Sequence, residues 1–377
     1  MRGWRIGTIK GIAIEINYTW IIMFVLFTFV FASMLSSVAP SDPMARWIGG
    51  AVACLFFVAS VLLHELCHSL VALSLGIKVS RITLFVFGGV SQVEGEVHTP
   101  GGEFVMSIAG PASSAALAVG LYFLGGRHWY PNNAPDMVTA VIALLAYINA
   151  MLAIFNMLPG LPLDGGRVLH SVIWAITGKE QASTRIASGI GVALGVLLMA
   201  WGGFLALFVR GGTMGLWAFF IGWMIQTVAR AEGRQAELKQ ILKGLQVGQV
   251  MHWPVAAVPA GLTLDTAVRE YATARPQPLY PVVDEKGVAV GVLDQSALQA
   301  HDPAQWSALT VSQVMQPLDP ARMTIGLHAA AMEALSRMGQ NGLGWLMVTS
   351  AENQPIGLVT EGAIVAAATH RHGPEVA

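Results

Sequence analysis

The chain is short of charge. Asp, Glu, Lys and Arg make up 11% of its 377 residues, where soluble globular proteins carry about 25%. With 54% hydrophobic residues and a mean hydropathy of +0.60, the surface cannot all face water, and disorder is disfavoured. A net charge of −1 offers no basic face to a phosphate backbone and argues against nucleic-acid binding. Cysteine is scarce as well. Cys54 and Cys67 both fall inside apolar runs, which argues against a disulfide framework and leaves the compartment to be read from topology. The charge deficit is uneven: residues 1–230 hold 21 charged side chains, and the much shorter stretch 231–377 holds 22. That division predicts a membrane-embedded first part and a soluble second part.

Apolar stretches of spanning length recur at 17–38, 47–75, 103–125, 136–159, 186–210 and 213–230, predicting six transmembrane helices. The first follows Arg2, Arg5 and Lys10 but is too long for a signal-peptide core, and no small-residue cleavage site follows it. Six spans put both termini on one side. Twelve Lys/Arg residues lie on the terminal side, and only Arg46, Arg127 and Arg210 lie opposite. The positive-inside rule therefore predicts cytoplasmic termini in a multi-pass protein of a cell membrane, read as a bacterial plasma membrane.

The second span contains His64-Glu65-Leu66-Cys67-His68. On a helix, positions i and i+4 share a face, so both imidazoles can reach one metal ion. Zinc suits two nitrogen ligands with an oxygen third and a fourth position left for water, and Glu65 is placed to take a proton from that water. A chance occurrence of this pattern is the bland alternative. Burying a carboxylate and two histidines in a bilayer span costs several kcal/mol unless they are paired or coordinated, which weighs against chance here. The third ligand is expected at Asp164, in Asn156-Met157-Leu158-Pro159-Gly160-Leu161-Pro162-Leu163-Asp164-Gly165-Gly166-Arg167. Pro159 and Pro162 break the fourth span, and irregular backbone at membrane depth is tolerated only where it is buried or lines a wet cavity. Asp164 can instead cap a short helix beginning at Gly165, and His170 can compete as the ligand. His64 lies 12 residues before Gly76, or ~18 Å along a helix, so the site is expected inside the bilayer, nearer the cytoplasm.

These paired motifs resemble the site-2 protease family of intramembrane zinc metalloproteases. Phe87-Gly88-Gly89 and Glu103–Pro111 (EFVMSIAGP) also fit its pattern, and the resemblance covers about residues 1–230. It implies one Zn2+ per chain held by His64, His68 and Asp164, with Glu65 as the catalytic base. It also implies that Asn156 binds substrate or polarises its carbonyl, although a helix-packing hydrogen bond accounts for that residue equally well. The stretch Leu84–Val97, with Gly88, Gly89 and Gly95, reads as a short sheet or re-entrant loop. An edge strand there can hold an unwound substrate extended by β-augmentation, with Gly88 and Gly89 permitting the approach; a plain connecting hairpin is the alternative.

Residues 231–246 read as a charged helical linker. Beyond it QVM at 249–251 recurs at 313–315, each followed by a helix-like stretch (Leu264–Tyr271, Leu327–Met338), an apolar strand and a Gly-initiated strand. Such a tandem β-α-β arrangement resembles a pair of CBS (cystathionine-β-synthase-type) modules over 247–377, with repeats at about 247–306 and 310–370. CBS pairs often bind adenine nucleotides through an Asp three residues after a Ser or Thr. Ala297 and Ala363 stand at the corresponding positions, which puts nucleotide sensing in doubt and favours homodimerisation or substrate docking. The expected fold class is thus a polytopic α-helical membrane protein, with six transmembrane helices and a small β element near the site, plus a soluble α/β CBS pair. The resemblance implies cleavage of a membrane-tethered protein, such as an anti-sigma factor, a pro-sigma factor or a signal-peptide remnant. The rival from another class is a CBS-regulated metal or ion transporter, since intramembrane His and Asp also mark ion paths. Glu65 discriminates, because a transporter has no need of a general base between paired ligands.

Overall fold

The computed structural model describes residues 3–37, 42–85, 88–95, 97–125, 136–209, 212–274 and 276–371. Phe87 of the Phe-Gly-Gly motif, and Arg2, Arg127 and Arg210 of the charge count, lie outside these. The chain divides into two compact units, Met1–Ala236 and Glu237–Ala377.

The first unit opens with strands β1 (Gly3–Ile9) and β2 (Ile12–Asn17), followed by helices α1 (Trp20–Met34) and α2 (Pro43–Ser74). Strands β3 (Lys78–Phe85) and β4 (Gly88–Glu94) come next, and then α3 (Pro100–Leu124), α4 (Met137–Asn156), α5 (Asp164–Thr177), α6 (Glu180–Phe208) and α7 (Thr213–Ile241). Among the described residues, four helices are long and apolar enough to cross a membrane: α2, α3, α4 and α6. At most 39% of any of their spanning windows is buried inside the protein, so the remaining apolar surface needs an apolar solvent, and the chain is a multi-pass membrane protein. The other two expected spans look different. Helix α1 is an apolar helix of 15 residues. Asn17 goes to the preceding strand, and Leu35–Ser37 tighten into a 3₁₀ turn. Helix α7 joins an apolar first half to a charged second half.

The four strands form one sheet in the order β1-β2-β3-β4. The β element is thus larger than the short sheet or re-entrant loop expected at 84–97. Residues 3–17 form a second hairpin, and β2 pairs in parallel with β3, Ala13 opposite Arg81 and Ile16 opposite Leu84. Ile12, Val79 and Ile82 pack with Ala72 of α2 into one apolar cluster, Val79 and Ile82 sharing a face because the pairing of β3 with β4 shifts register between Val79 and Arg81. A second cluster, with Phe31, Leu35, Cys54, Leu144 and Leu145, joins α1, α2 and α4. Cys54 and Cys67 are free thiols.

The second unit holds two sheets. One has the order β5-β6-β7-β8 (Val258–Pro259, Leu279–Val283, Ala289–Asp294, Gln316–Pro317). The other has the order β11-β10-β9 (Pro355–Thr360, Trp345–Thr349, Thr324–Gly326). The two QVM segments form matching turns. Gln249 and Gln313 each complete a capping box, accepting from the backbone N–H of Gln246 and Thr310 at 3.1 and 3.0 Å. Each turn docks on the other repeat's sheet. Val247 and Val250 share a core with Ile325, Leu346 and Val359, whereas Val311 packs with Val258 and Val282. The helix of the second repeat covers Ala331–Asn341, starting four residues later than its pattern suggested, because Gly326–Ala329 form a turn first.

Within the first unit, α3, α5 and α6 are tied by His170. Its Nδ1 lies 2.7 Å from Glu103 Oε2, and its Nε2 lies 3.0 Å from Thr184 Oγ1. Burial opposes charge on His170, but the Glu103 carboxylate outweighs it and holds the histidine's pKa above the ordinary value. A pKa raised in the folded state stabilises fully below the unfolded value of about 6.5, and that stabilisation is lost as pH rises through the folded pKa. Glu103→Gln should therefore cost roughly 1–2 kcal/mol near pH 6 and much less near pH 9. Thermal unfolding in detergent at both values checks this, and an equal loss at the two pH values would contradict it.

Candidate metal centre

Helix α2 carries His64 and His68 one turn apart on the same face. The third member comes from about 100 residues downstream. Helix α4 ends at Asn156, residues 157–163 form a chain of turns containing Pro159 and Pro162, and α5 starts at Asp164. The turns are held by Leu163 N–H donating to the Gly160 carbonyl and Leu161 N–H donating to the Ala187 carbonyl of α6. A Cβ on Gly165 or Gly166 would collide with the backbone of Met157 or of Gly160 and Leu161, so the two glycines let the turns fold back over the start of α5. Asp164 does not cap that helix. Leu163 occupies the cap position without a side-chain bond, and the Asp164 carboxylate turns to the histidines.

His64 Nε2, His68 Nε2 and Asp164 Oδ2 form a triangle with sides of 3.1, 3.3 and 3.3 Å. Four ligands tetrahedrally placed about zinc at 2.0–2.1 Å stand about 3.3 Å apart, so the triangle matches one face of such a site. Hydrogen bonds on the far side of each ring point to the same occupant. His68 Nδ1 lies 2.6 Å from the Met106 carbonyl, which can only accept, so Nδ1 carries the proton and Nε2 presents a lone pair. His64 Nδ1 lies 3.0 Å from Ser114 Oγ, which is buried and free to accept in the same way. Lone pairs of two imidazoles and a carboxylate then converge where water is scarce, an arrangement that needs a cation. Gly110 of α3 faces this point. A Cβ there would overlap His68 Nε2 and come within 2.6 Å of His64 Nε2, so the missing methyl leaves the space that a bound ion requires. Among the described residues, these three form the one group of His, Cys, Asp and Glu able to hold a metal.

Glu65 is in contact with the sheet. Its Oε2 accepts from Ser91 Oγ of β4 at 3.1 Å, and a Cβ on Gly89 would overlap its Cγ. Gly88 pairs with Phe85 in the adjoining register position. Asn156 stands half-buried at the last residue of α4, eight residues before Asp164. His170 is committed to Glu103 and Thr184 rather than to the triangle. Sequence reasoning missed Gly110, Ser114, Ser91 and the Met106 carbonyl. The one signal available was the Gly-Pro step at 110–111 inside an apolar helix, since both residues are unfavourable there without a local reason.

Gly110→Ala should reduce bound zinc by at least about tenfold, and Ser114→Ala by about tenfold, the scale for losing a ligand's supporting partner. Metal analysis of purified protein, with circular dichroism as a fold control, reads both effects. Wild-type zinc in Gly110→Ala would show that the cradle lies elsewhere.

The peptidase family M50 model matches residues 52–130 and 128–198, and the CBS domain model matches residues 247–301. A zinc-metalloprotease relative from Synechocystis sp. is 33% identical over 365 residues, covering 96% of this chain and 94% of its own length. Rip3 of Mycobacterium tuberculosis is 32% identical over 83% of this chain and 79% of its own. Among solved structures, the site-2 protease from Methanocaldococcus jannaschii shares 28% identity, covering 62% of this chain and 95% of that one, with a TM-score of 0.43. Identity of this order along nearly the whole length shows that the chain belongs to the site-2 protease (peptidase M50) family of zinc metalloproteases, in a form with a C-terminal CBS domain.

Proposed function

We propose that the protein is an intramembrane endopeptidase that cuts membrane-tethered proteins within or beside their transmembrane segments, releasing a cytoplasmic fragment. The observation that carries this reading is the convergence of His64 Nε2, His68 Nε2 and Asp164 Oδ2 beside Glu65, on elements that include a long apolar helix. In this reading His64, His68 and Asp164 hold one zinc ion. When bound, zinc supplies a Lewis acid for the scissile carbonyl and makes water acidic enough to ionise near neutral pH. Glu65 takes the proton from the attacking water and passes it to the departing amine. A helical substrate hides its peptide bonds in i→i−4 hydrogen bonds and must unwind first. Strand β4 lies at the edge of its sheet, so its free side can pair with the unwound segment, with Gly88 and Gly89 admitting its backbone. Asn156, at the end of α4, is assigned to substrate binding.

Six spans with cytoplasmic termini remain the favoured topology, with α1 and the first half of α7 as the additional spans. We assign residues 1–230 to the protease, 231–246 to a linker and 247–377 to the CBS pair. Substrates of the anti-sigma or pro-sigma class suit an enzyme that frees cytoplasmic fragments. In the CBS pair, Asp294 and Thr360 are engaged as helix caps, accepting from the N–H groups of Ala297 and Ala363. With alanine at both of those positions, homodimerisation or substrate docking is favoured over adenine-nucleotide sensing.

Glu65→Gln should keep wild-type zinc while cleavage of a single-span substrate falls by about a hundredfold or more. Full cleavage by this variant would remove the base. Gly89→Val should also keep its zinc, with turnover falling by about a hundredfold, the scale of a 1 Å misplacement of a reacting group. Unchanged turnover would detach β4 from the chemistry.

A further inference from the structure

We propose that Ser91, itself held by Ser69, is a positioning residue that fixes the Glu65 carboxylate from the edge strand of the sheet; the proposal rests on Glu65 acting as the base. Strand β4 alternates, so Gly89 and Ser91 both face α2. Gly89, without a Cβ, lets the strand close against the Glu65 stem. Ser91, two residues on, donates its hydroxyl to Glu65 Oε2 at 3.1 Å. Ser69 lies one helical turn beyond Glu65 on α2, is buried, and donates to Ser91 Oγ at 3.1 Å. The chain of donors has one direction, from Ser69 to Ser91 to the carboxylate. Serial hydrogen bonds of this kind polarise one another and strengthen where water is excluded.

The physical need is clear. A glutamate side chain has three rotatable bonds, and nothing within α2 itself locks them, so an untethered base spreads over several rotamers. Ser91 occupies Oε2 and leaves Oε1 free for the proton in flight. The tether also crosses elements. Its backbone end sits in the sheet, where Ser91 is opposite Ile82 of β3, and its acceptor sits on the helix that carries both histidines. The strand offered to substrate and the base are therefore aligned by one hydroxyl. A seated substrate strand holds β4 in place, and β4 in turn holds the carboxylate, so binding and alignment of the base are linked.

The test uses the full chain in detergent with a single-span substrate and compares Ser91→Ala, Ser91→Thr, Ser69→Ala and Glu65→Gln. Ser91→Ala should lower kcat about tenfold with KM and bound zinc at wild-type values, the scale of one hydrogen bond to a charged group. Ser91→Thr, which keeps the hydroxyl, should restore most of kcat. Ser69→Ala should show a smaller fall of the same kind, and Ser91→Ala should add nothing in the Glu65→Gln background. Wild-type kcat in Ser91→Ala, a change in KM alone, or failure of Ser91→Thr to recover activity overturns the proposal. Should Ser91→Ala misfold, Ser69→Ala decides, because it leaves β4 intact, and wild-type kcat there overturns it. An active Glu65→Gln would instead sink the underlying assignment of the base. An inactive Glu65→Gln beside a fully active Ser91→Ala would sink only the positioning role.

Discussion

Three lone pairs aimed at one point inside an apolar helix bundle are tolerable only with positive charge between them, and much of the first unit is arranged around that requirement. The ring orientations come from α3, through the Met106 carbonyl and Ser114. Helix α3 can supply them only by approaching α2 closely, and Gly110 is the residue that admits the approach without filling the space between the rings. The third donor cannot come from an uninterrupted helix at the same depth and still reach across. It comes from a break, where prolines end α4 and glycines let the turns fold over the start of α5. Asp164 also gains from its place in the first turn of α5, where the helix dipole favours negative charge.

The grouping of His64, His68 and Asp164 was legible because a metal ion demands fixed ligand types at fixed spacings. His64 and His68 are separated by one helical turn, and a bilayer makes such residues too costly to be incidental, so the pattern speaks without any knowledge of the fold. Asp164 was legible for a related reason, since Pro159 and Pro162 announce irregular backbone where only a site excuses it. The roles of Gly110, within the Glu103–Pro111 motif, and of Ser91 were not legible. The first matters through an atom it lacks, and the second through a 3.1 Å contact between a strand and a helix 26 residues apart in sequence. Neither leaves a periodic trace.

The fold was read only in part. Ile12, Ile14 and Ile16 alternate, but six residues beside a basic terminus are a weak strand signal, and their partners in β3 lie 68 residues downstream. Parallel pairing at that range depends on α1 and α2 returning the chain to the same end, which no local pattern encodes. The first span was overextended for the same reason, because the sheet claims Asn17 at one end and a 3₁₀ turn takes Leu35–Ser37 at the other. In the second unit the QVM repeat marked two matching capped turns. It could not reveal that each turn packs against its counterpart's sheet.

That exchange makes the two halves of the second unit interdependent. Leu242, Leu245, Val247 and Val250 are covered by Ile325, Leu346, Val359 and Ile364, while Val311, from the second repeat, completes the core around Val258 and Val282. Melting either repeat strips apolar cover from the other, so the pair should gain or lose order in a single cooperative transition rather than module by module. A disturbance felt anywhere in this unit, whether from a second copy of the chain or from a docked substrate, is then reported by all of it at once.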